Sequence, residues 1–401
     1  MSDKPEDTLD RRDFMRASIA TVGASAVLAA SAGPAKAQNV AAPSTETAAS
    51  GLKRSVYTGD VILGKLVAST LDIGDLGPGR KHLLYFQGAQ MPTGQHWNVS
   101  VIVAKGVRPG KRITLVSGVH GDEMSSIHTV QTVMNQLNPE EMSGSVMAVL
   151  DVARPAIESM QRRWPNSGRG IDLIDMNREW PGNENGISAA SRHAGLLFNR
   201  LLKPNSDLAI DFHTGATGFK VAAFNIGDRT LPDVKIMMEL YPIGQIWDYP
   251  AYPSVLHNAL VDVGIPCFTP EVGAARELDP DKIALFVEGT MNVLKNYGII
   301  AGPVGRTAAD SNVFVGNSAF PIIASQGGFV EHLVQMDEEV TAGQKVAIQR
   351  NTFGEVVAEY TSGVNGRVAG LRSDATCEPG NPLGFILFKS ATSAGADAYP
   401  E

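Results

Sequence analysis

The chain has 401 residues, of which 43% are hydrophobic and 19% are charged, and its formal net charge is −8. This hydrophobic content is enough for one large folded core and a smaller second one. The acidic balance argues against binding to the phosphate backbone of nucleic acids, so no nucleic-acid partner is expected.

The first residues are typical of a bacterial export signal. Arg11 and Arg12 form a twin-arginine pair, and a weakly apolar stretch follows over 17–32. Ala35-Lys36-Ala37 then supplies an A-x-A cleavage pattern, which predicts a twin-arginine signal peptide over 1–37. The apolar stretch is too short and too rich in Ala, Ser and Gly to span a membrane comfortably. We therefore expect the twin-arginine export machinery as a partner, a periplasmic location, and no integral membrane segment after cleavage.

A leader and two domains are predicted after the signal. Residues 38–53 are rich in Ala, Ser, Thr and Pro, which is typical of a loose segment. Strand-like and helix-like patterns alternate from 54 to 300, which indicates an α/β domain with a sheet covered on both faces. From 301 to 401, short β-rich pieces separated by glycines predict a small all-β domain.

The elements of 54–300 are predicted from hydrophobic periodicity. Six strands are predicted, at Trp97–Lys105, Ile113–Val119, Ser145–Val152, Leu208–Phe212, Val221–Ile226 and Ile265–Thr269. Apolar residues at helical spacing from Met124 to Leu137 predict one helix. A second helix begins at Asp279-Pro280, which supply an N-cap and an N1 proline, and ends at Gly298.

The C-terminal domain resembles a lipoyl- or biotinyl-type barrel-sandwich module in the spacing of its glycine-containing segments, 327–330, 340–344 and 366–368. Carriers of this type attach their cofactor through a lysine at a hairpin tip. The matching turn, 362–366, contains no lysine. A structural or substrate-gating role is therefore favoured over a carrier role.

Three residues in two motifs have the pattern of a metal site. His120 and Glu123 lie where a predicted strand is followed by a helix, and they are ligand types suited to zinc. His213 follows another strand, at the end where α/β sheets place their sites. A close pair plus one remote ligand leaves the fourth tetrahedral position for water, as in catalytic zinc sites. We expect one zinc ion per chain. Asp211 would not bind the ion but would contact His213 and orient its ring.

A histidine at a strand end can also simply cap a loop, and only the combination of motifs favours a ligand. His128 is a competing candidate, but it lies eight residues beyond His120, roughly 12 Å along a helix. One metal ion cannot bridge that distance. We interpret His128 as an ordinary structural residue. The same interpretation applies to the remaining histidines, which are His82, His96, His193, His257 and His332.

Two further motifs offer substrate-binding and acid–base groups. Arg178 carries a planar fork that grips a carboxylate, and its neighbour Asn177 adds a donor and an acceptor. Glu271 ends an apolar strand and could act as a general base. Each motif also has an ordinary structural interpretation. Asn177 and Arg178 could form a surface pair in a turn before Pro181-Gly182, and Glu271 could be a loop carboxylate. Upstream of the Asn-Arg pair, any of Arg162, Arg163 and Arg169 could polarise a substrate carbonyl.

In their order along the chain, four motifs resemble those of the succinylglutamate desuccinylase/aspartoacylase family. They are Gly118-Val119-His120-Gly121-Asp122-Glu123, Asp175-Met176-Asn177-Arg178-Glu179-Trp180-Pro181-Gly182, Asp211-Phe212-His213-Thr214 and Glu271-Val272-Gly273. The resemblance covers about Trp97 to Gly298. It implies a zinc carboxypeptidase-like fold, with a mixed β-sheet covered by helices on both faces and a small C-terminal β domain of barrel-sandwich type.

The resemblance also implies a role for each matching residue. His120, Glu123 and His213 would bind zinc, and Asn177 and Arg178 would bind a substrate carboxylate. Glu271 would be the general acid and base. An arginine upstream of the Asn-Arg pair would stabilise the oxyanion, and Arg163 and Arg169 are both candidates because the intervening segment differs in length.

The expected function is zinc-dependent hydrolysis of an amide bond in a small carboxylate-bearing N-acyl substrate, an N-acyl amino acid or a short peptide. A metallocarboxypeptidase or a peptidoglycan-peptide amidase on the same fold is the nearer alternative, because Arg178 could hold the terminal carboxylate of a peptide. A periplasmic binding protein without catalysis is the alternative from another class. The export signal is unusual for amino-acid-catabolic members of the family, so their particular substrates do not transfer directly.

Overall fold

Residues 54–165, 173–249 and 253–391 are described by a computed structural model of the chain. The predicted signal peptide 1–37 and leader 38–53 lie outside the described residues, and so does Arg169. Within the described ranges, no helix combines the length and the apolar character needed to cross a membrane.

Twenty strands and seven α-helices occur in the described ranges. The strands are β1 (Val56–Ile62), β2 (Lys65–Thr70), β3 (Arg80–Gln90), β4 (His96–Lys105), β5 (Arg108–Val116), β6 (Ser143–Val149), β7 (Leu208–Asp211), β8 (Phe219–Val221), β9 (Phe224–Gly227), β10 (Gln245–Asp248), β11 (Cys267–Glu271), β12 (Phe314–Gly316), β13 (Ser318–Ile323), β14 (Gly328–His332), β15 (Glu339–Val340), β16 (Lys345–Arg350), β17 (Val356–Thr361), β18 (Gly366–Arg372), β19 (Thr376–Cys377) and β20 (Pro382–Phe388). The helices are α1 (Met124–Gln136), α2 (Arg154–Glu158), α3 (Ala189–Leu197), α4 (Lys203–Asn205), α5 (Pro232–Glu239), α6 (Leu256–Val261) and α7 (Pro280–Asn296).

Eleven of the strands form one mixed sheet, in the order β1-β2-β3-β4-β6-β5-β7-β11-β9-β10-β12. At its centre β5 pairs in parallel with β6 and β7, and β7 pairs in parallel with β11. The carboxyl ends of parallel neighbours lie at the same edge of a sheet. The chain segments that follow β5 and β7 therefore leave the sheet side by side, next to the end of β11.

Helices cover both faces of this sheet. On one face, α1 and α7 contribute apolar side chains, among them Val130, Met134 and Phe286, to a core with the sheet. On the other face, α3 and α6 contribute side chains such as Leu197 and Leu260 to a second core. The predicted α/β architecture, with a sheet between two helical layers, is confirmed.

The C-terminal region contains two further small sheets. One has the order β13-β20-β18-β15, and the other has the order β17-β16-β14-β19. Their apolar side chains form a separate core that includes Val340, Val346 and Ile386. The extra C-terminal β domain is therefore also confirmed.

Two strands connect the α/β region and the C-terminal region. β8, from residues 219–221, pairs with β18 of the small sheet, with Val221 opposite Gly370. β12, from residues 314–316, pairs in parallel with β10 at the edge of the large sheet. The large sheet therefore contains a strand from after residue 300, and the small sheet contains a strand from before residue 300.

The predicted elements agree with the structure at the centre of the chain. Both predicted helices form, and Asp279 caps α7 by accepting a hydrogen bond of 3.2 Å from the Lys282 N–H. The single strand predicted over Val221–Ile226 is wrong. This stretch contains the end of β8 and the start of β9, which belong to different sheets. The strands β1 to β3 were not predicted.

Candidate metal and active site

The loop between β5 and α1 presents His120 and Glu123. Gly118 has a φ of +70°, in the left-handed region that favours glycine. A Cβ on Gly121 would lie 2.2 Å from the carbonyl carbon of Ala156, so only glycine fits there. These two glycines let the loop press against α2 and turn both ligand-type side chains towards the end of β7.

His120, Glu123 and His213 converge at that point, and all three are buried. His120 Nδ1 lies 2.7 Å from Glu123 Oε1, and His213 Nδ1 lies 3.0 Å from Glu123 Oε2. The two Nδ1 atoms are 3.1 Å apart. Tetrahedral zinc with bonds near 2.0–2.1 Å would hold its ligand atoms roughly 3.3 Å from one another. The three side chains therefore have the types and the spacing of a zinc site.

The other nitrogen of each imidazole faces a carboxylate. His120 Nε2 lies 3.0 Å from Asp175 Oδ1, and His213 Nε2 lies 3.1 Å from Asp211 Oδ2. Metal-binding histidines commonly have such a carboxylate behind them, because it fixes the ring and makes it more basic. The position of Asp211 agrees with its predicted role. The role of Asp175 was missed, although its motif was noted, because a sequence does not show which aspartate meets which histidine.

The electrostatic field at this point favours a positive charge. Burial opposes protonation of His213, but the nearby Asp211 and Glu123 raise its pKa well above the usual value. Burial likewise opposes ionisation of Glu123, but His120 and His213 hold the pKa of its carboxyl well below the usual range. A cluster that favours a proton for this reason also favours a metal cation.

Asn177 and Arg178 reach the same cavity from the short helical turn Met176–Arg178. Asp175 accepts a hydrogen bond of 2.8 Å from the Asn177 N–H, and Asn177 Oδ1 accepts one of 3.0 Å from the Leu256 N–H. Arg178 donates from Nη1 to the Asn177 carbonyl at 3.0 Å. The predicted substrate-binding pair is thus fixed beside the ligand cluster.

Among the upstream arginines, Arg162 makes the direct contact with the cluster. Its Nη1 lies 2.6 Å from Glu123 Oε1, and its carbonyl accepts from the Gly121 N–H at 3.1 Å. The side chain of Arg163 is exposed and lines the cavity, whereas Arg169 lies outside the described residues. Arg163 and Arg169 are the two arginines that the family resemblance offers for the oxyanion. The contact of Arg162 depends on the fold of the loop at 159–163 and was not indicated by spacing.

Glu271 ends β11 and lies in the cavity beside His213. The two residues are neighbours in a parallel bridge, and Glu271 Oε2 has no hydrogen-bond partner among the described residues. Burial raises the pKa of Glu271 to about 8. A buried carboxyl group with a free oxygen and a raised pKa has the properties of a group that exchanges protons with a substrate.

The cavity has a volume of about 280 Å³, at the small end of the range for ligand pockets. Part of its wall is aromatic. Phe219 from β8 and Phe385 from β20 stack with ring centroids 6.1 Å apart, and both line the cavity. Arg372 and Asn381 of the C-terminal domain also face it. This domain therefore helps to form the pocket. Its position agrees better with a substrate-gating role than with a cofactor-carrier role.

The remaining histidines differ in their surroundings. His128 is exposed on α1, away from the ligand cluster, as expected. His193 is buried, with one nitrogen accepting from the Ala89 N–H at 3.1 Å and the other donating to the Val152 carbonyl at 2.9 Å. His257 is buried as well, but it lines the cavity. Its placement differs from the ordinary structural role expected from the sequence.

Comparison with known proteins agrees with this geometry. Residues 109–297 match the sequence model of the succinylglutamate desuccinylase/aspartoacylase catalytic domain. The matched segment contains all four motifs and the buried cluster. Over this segment the chain is similar to the catalytic domain of that family.

Individual relatives are similar over most of the chain. One is the N-alpha-acetyl-L-2,4-diaminobutyric acid deacetylase of Halomonas elongata, 25% identical over 305 residues that cover 72% of this chain and 86% of the relative. Among solved structures, a succinylglutamate desuccinylase/aspartoacylase from Rhodobacter sphaeroides has a TM-score of 0.69 at 19% identity, covering 80% of this chain and 98% of its own. The product-bound ectoine utilization protein EutE (DoeB) from Ruegeria pomeroyi has a TM-score of 0.67 at 18% identity, with coverages of 80% and 98%. These two structures share the fold.

Proposed function

We propose that the protein is a zinc-dependent amidohydrolase that removes the acyl group from a small N-acyl amino acid. The observation that carries this proposal is the convergence of His120, Glu123 and His213, with Glu271 in the same cavity. The curated relative supports the substrate class, since its name describes removal of an acetyl group from an amino acid.

Each residue of the site would have its own role in the reaction. Arg178 and Asn177 would bind the substrate carboxylate, and this contact would orient the scissile amide over the ligand cluster. When bound, zinc would act as a Lewis acid and lower the pKa of a coordinated water to about 7. Arg162, which already contacts Glu123, would place a positive charge near the carbonyl oxygen as negative charge develops there.

Glu271 would move the proton. As a carboxylate it would take a proton from the attacking water, and as a carboxylic acid it would return that proton to the departing amine nitrogen. Burial raises its pKa to about 8, so that both the carboxylate and the acid form are populated near neutral pH. The amide is converted into a free carboxylate and a free amine.

A direct test combines metal analysis with a substrate panel. The purified protein should contain one zinc ion per chain and should hydrolyse N-acyl amino acids faster than short peptides. His120→Ala should lose both the metal and the activity, whereas the control His128→Ala should keep both. Faster cleavage of peptides from the carboxyl end would favour the carboxypeptidase alternative. A protein without stoichiometric metal, or one whose activity resists chelators, would contradict the proposal.

We also propose that the mature protein acts in the periplasm after twin-arginine export. Support comes from the sequence pattern alone, with Arg11-Arg12 before an apolar stretch and Ala35-Lys36-Ala37 after it. Fractionation of cells that express the full chain should find the processed protein in the periplasm. Replacing both Arg11 and Arg12 with Lys should keep it inside the cell, and equal export of the two forms would contradict the assignment.

A further inference from the structure

His257 lines the proposed active-site cavity without a role so far. It is the second residue of α6, and only 6% of its surface is exposed. Its Nδ1 lies 2.8 Å from Thr269 Oγ1, whereas its Nε2 has no hydrogen-bond partner among the described residues. The ring is therefore held at one nitrogen and free at the other.

A comparison with His193 shows that burial alone does not explain this arrangement. His193 is also buried, but it lies away from the cavity, and both of its nitrogens have backbone partners, on Ala89 and Val152. A buried polar atom without a partner costs free energy, because it has lost its bonds to water. In His257 the unpartnered atom belongs to the ring that borders the cavity, where a ligand could supply the missing bond.

The position of His257 is close to the reacting groups. Thr269, which holds its ring, lies two residues before Glu271 on β11, so the two side chains project from the same face of the strand about 6.6 Å apart. The residue before His257 donates its N–H to Asn177 Oδ1. The start of α6 thus joins the predicted carboxylate-binding pair and the strand of the general base.

Uncharged side chains line the cavity together with His257, and Asp211 and His213 are near enough to act on its pKa. Val255, Ile226 and Tyr249 line the same cavity, and Ile226 is directly opposite Thr269 in the pairing of β9 with β11. Burial lowers the pKa of His257 to about 4, against the opposing effect of Asp211, so the ring carries no charge near pH 7. A neutral imidazole in such surroundings suits an uncharged hydrogen-bonding group better than a second carboxylate.

We propose that His257 Nε2 hydrogen-bonds an uncharged polar group of the substrate, a carbonyl, hydroxyl or amide near the scissile bond, and so selects substrates that carry one. This inference rests on the proposed function. It adds a substrate-binding residue to the cavity wall beside β11, the strand that carries Glu271.

Two variants separate substrate binding from a structural role. The amide of asparagine reaches the position of Nδ1, so His257→Asn keeps the bond to Thr269 and loses the group at the Nε2 position. The amide of glutamine reaches the position of Nε2, so His257→Gln keeps the group that faces the substrate. For the N-acyl amino acid that the unmodified enzyme hydrolyses best, His257→Asn should lower kcat/KM by roughly 10- to 100-fold, mainly through KM. His257→Gln should stay within about threefold of the unmodified enzyme.

Zinc content and thermal unfolding of both variants should match the unmodified protein. Retained activity in His257→Asn with loss in His257→Gln would show a structural role and overturn the inference. Equal activities in the two variants, whether both high or both low, would overturn it as well. If neither variant folds, Thr269→Val frees the ring while keeping the side chain's shape. It should raise KM at unchanged zinc content, and an unchanged KM would overturn the inference.

These outcomes are distinct from failure of the proposed function. If the unmodified zinc-loaded protein hydrolyses no N-acyl amino acid, the proposed function and this inference both fall. If it does hydrolyse them and the variants behave against expectation, only the role of His257 falls.

Discussion

At Glu271 the side chain combines burial, a free oxygen and a raised pKa, and these properties can be separated from metal binding. Glu271→Gln preserves size and removes the ability to exchange a proton. We expect the variant to keep its zinc and lose about 10²–10⁴-fold in kcat, the usual contribution of general acid–base catalysis. Elemental analysis and initial rates on one preparation are sufficient. Loss of the zinc would make Glu271 a ligand, and near-normal rates would exclude it as the base.

Arg178 allows a test of how the substrate carboxylate is bound. Lysine keeps the charge but lacks the planar fork, so Arg178→Lys should reduce kcat/KM by at least about tenfold. The unmodified enzyme should also hydrolyse the methyl ester of its best substrate much more slowly than the free acid. Equal rates for ester and acid would show that Arg178 does not bind the carboxylate.

The residue types of the site were more predictable than their partners. His120, Glu123 and His213 could be named because metal ligands need particular side chains at particular places in α/β elements. Arg162, Asp175 and His257 reach the cavity through the path of loops and the start of a helix. Local sequence does not determine those paths, so the contacts of these residues could not be predicted.

The turn between β5 and α1 determines where two of the ligands lie, so backbone changes there should act on metal binding. A Cβ at Gly121 would lie 2.2 Å from the backbone of Ala156. Gly121→Ala should therefore displace the loop, cost about 1–3 kcal/mol of unfolding free energy and reduce zinc content. Thermal unfolding and metal analysis measure the two effects.

Gly244→Ala is the matched control for this change, because the nearest atom to its added Cβ lies 3.8 Å away and its φ is not in the left-handed region. It should leave both zinc content and stability nearly unchanged. If Gly121→Ala behaves like Gly244→Ala, the close packing of the loop against α2 does not control the ligands.

Elements with a clear hydrophobic periodicity were predicted from the sequence. Elements defined mainly by the strands with which they pair were not. α1 and α7 have clear apolar faces and, for α7, a capping aspartate. β8 and β9 are separated by only two residues, yet they pair with β18 and β11 in different sheets. Hydrophobic pattern shows that a segment is extended, but it does not show which sheet the segment joins.

At the scale of the whole molecule, His193 should make stability depend on pH. Burial lowers the pKa of His193 to about 4 from an ordinary value of 6.5, so between these values the unfolded chain binds a proton that the folded chain does not. The stabilisation is complete above pH 6.5 and is lost as pH falls towards 4. The loss should reach about 3 kcal/mol. Urea unfolding at several pH values should show a shallower decline for His193→Gln, whereas exposed His128→Gln should follow the unmodified protein.

The aromatic part of the cavity wall has a consequence for the order of events during synthesis. Phe219 cannot stack on Phe385 until the ribosome has added more than a hundred residues beyond Glu271, which takes on the order of ten seconds. For that interval the nascent chain already holds every group assigned to metal binding and proton transfer, while one side of the cavity remains open to water. Maturation of the pocket would therefore be a late event, set by the arrival of β18 and β20. A chain stopped before them would carry the complete polar cluster without the wall that encloses its substrate.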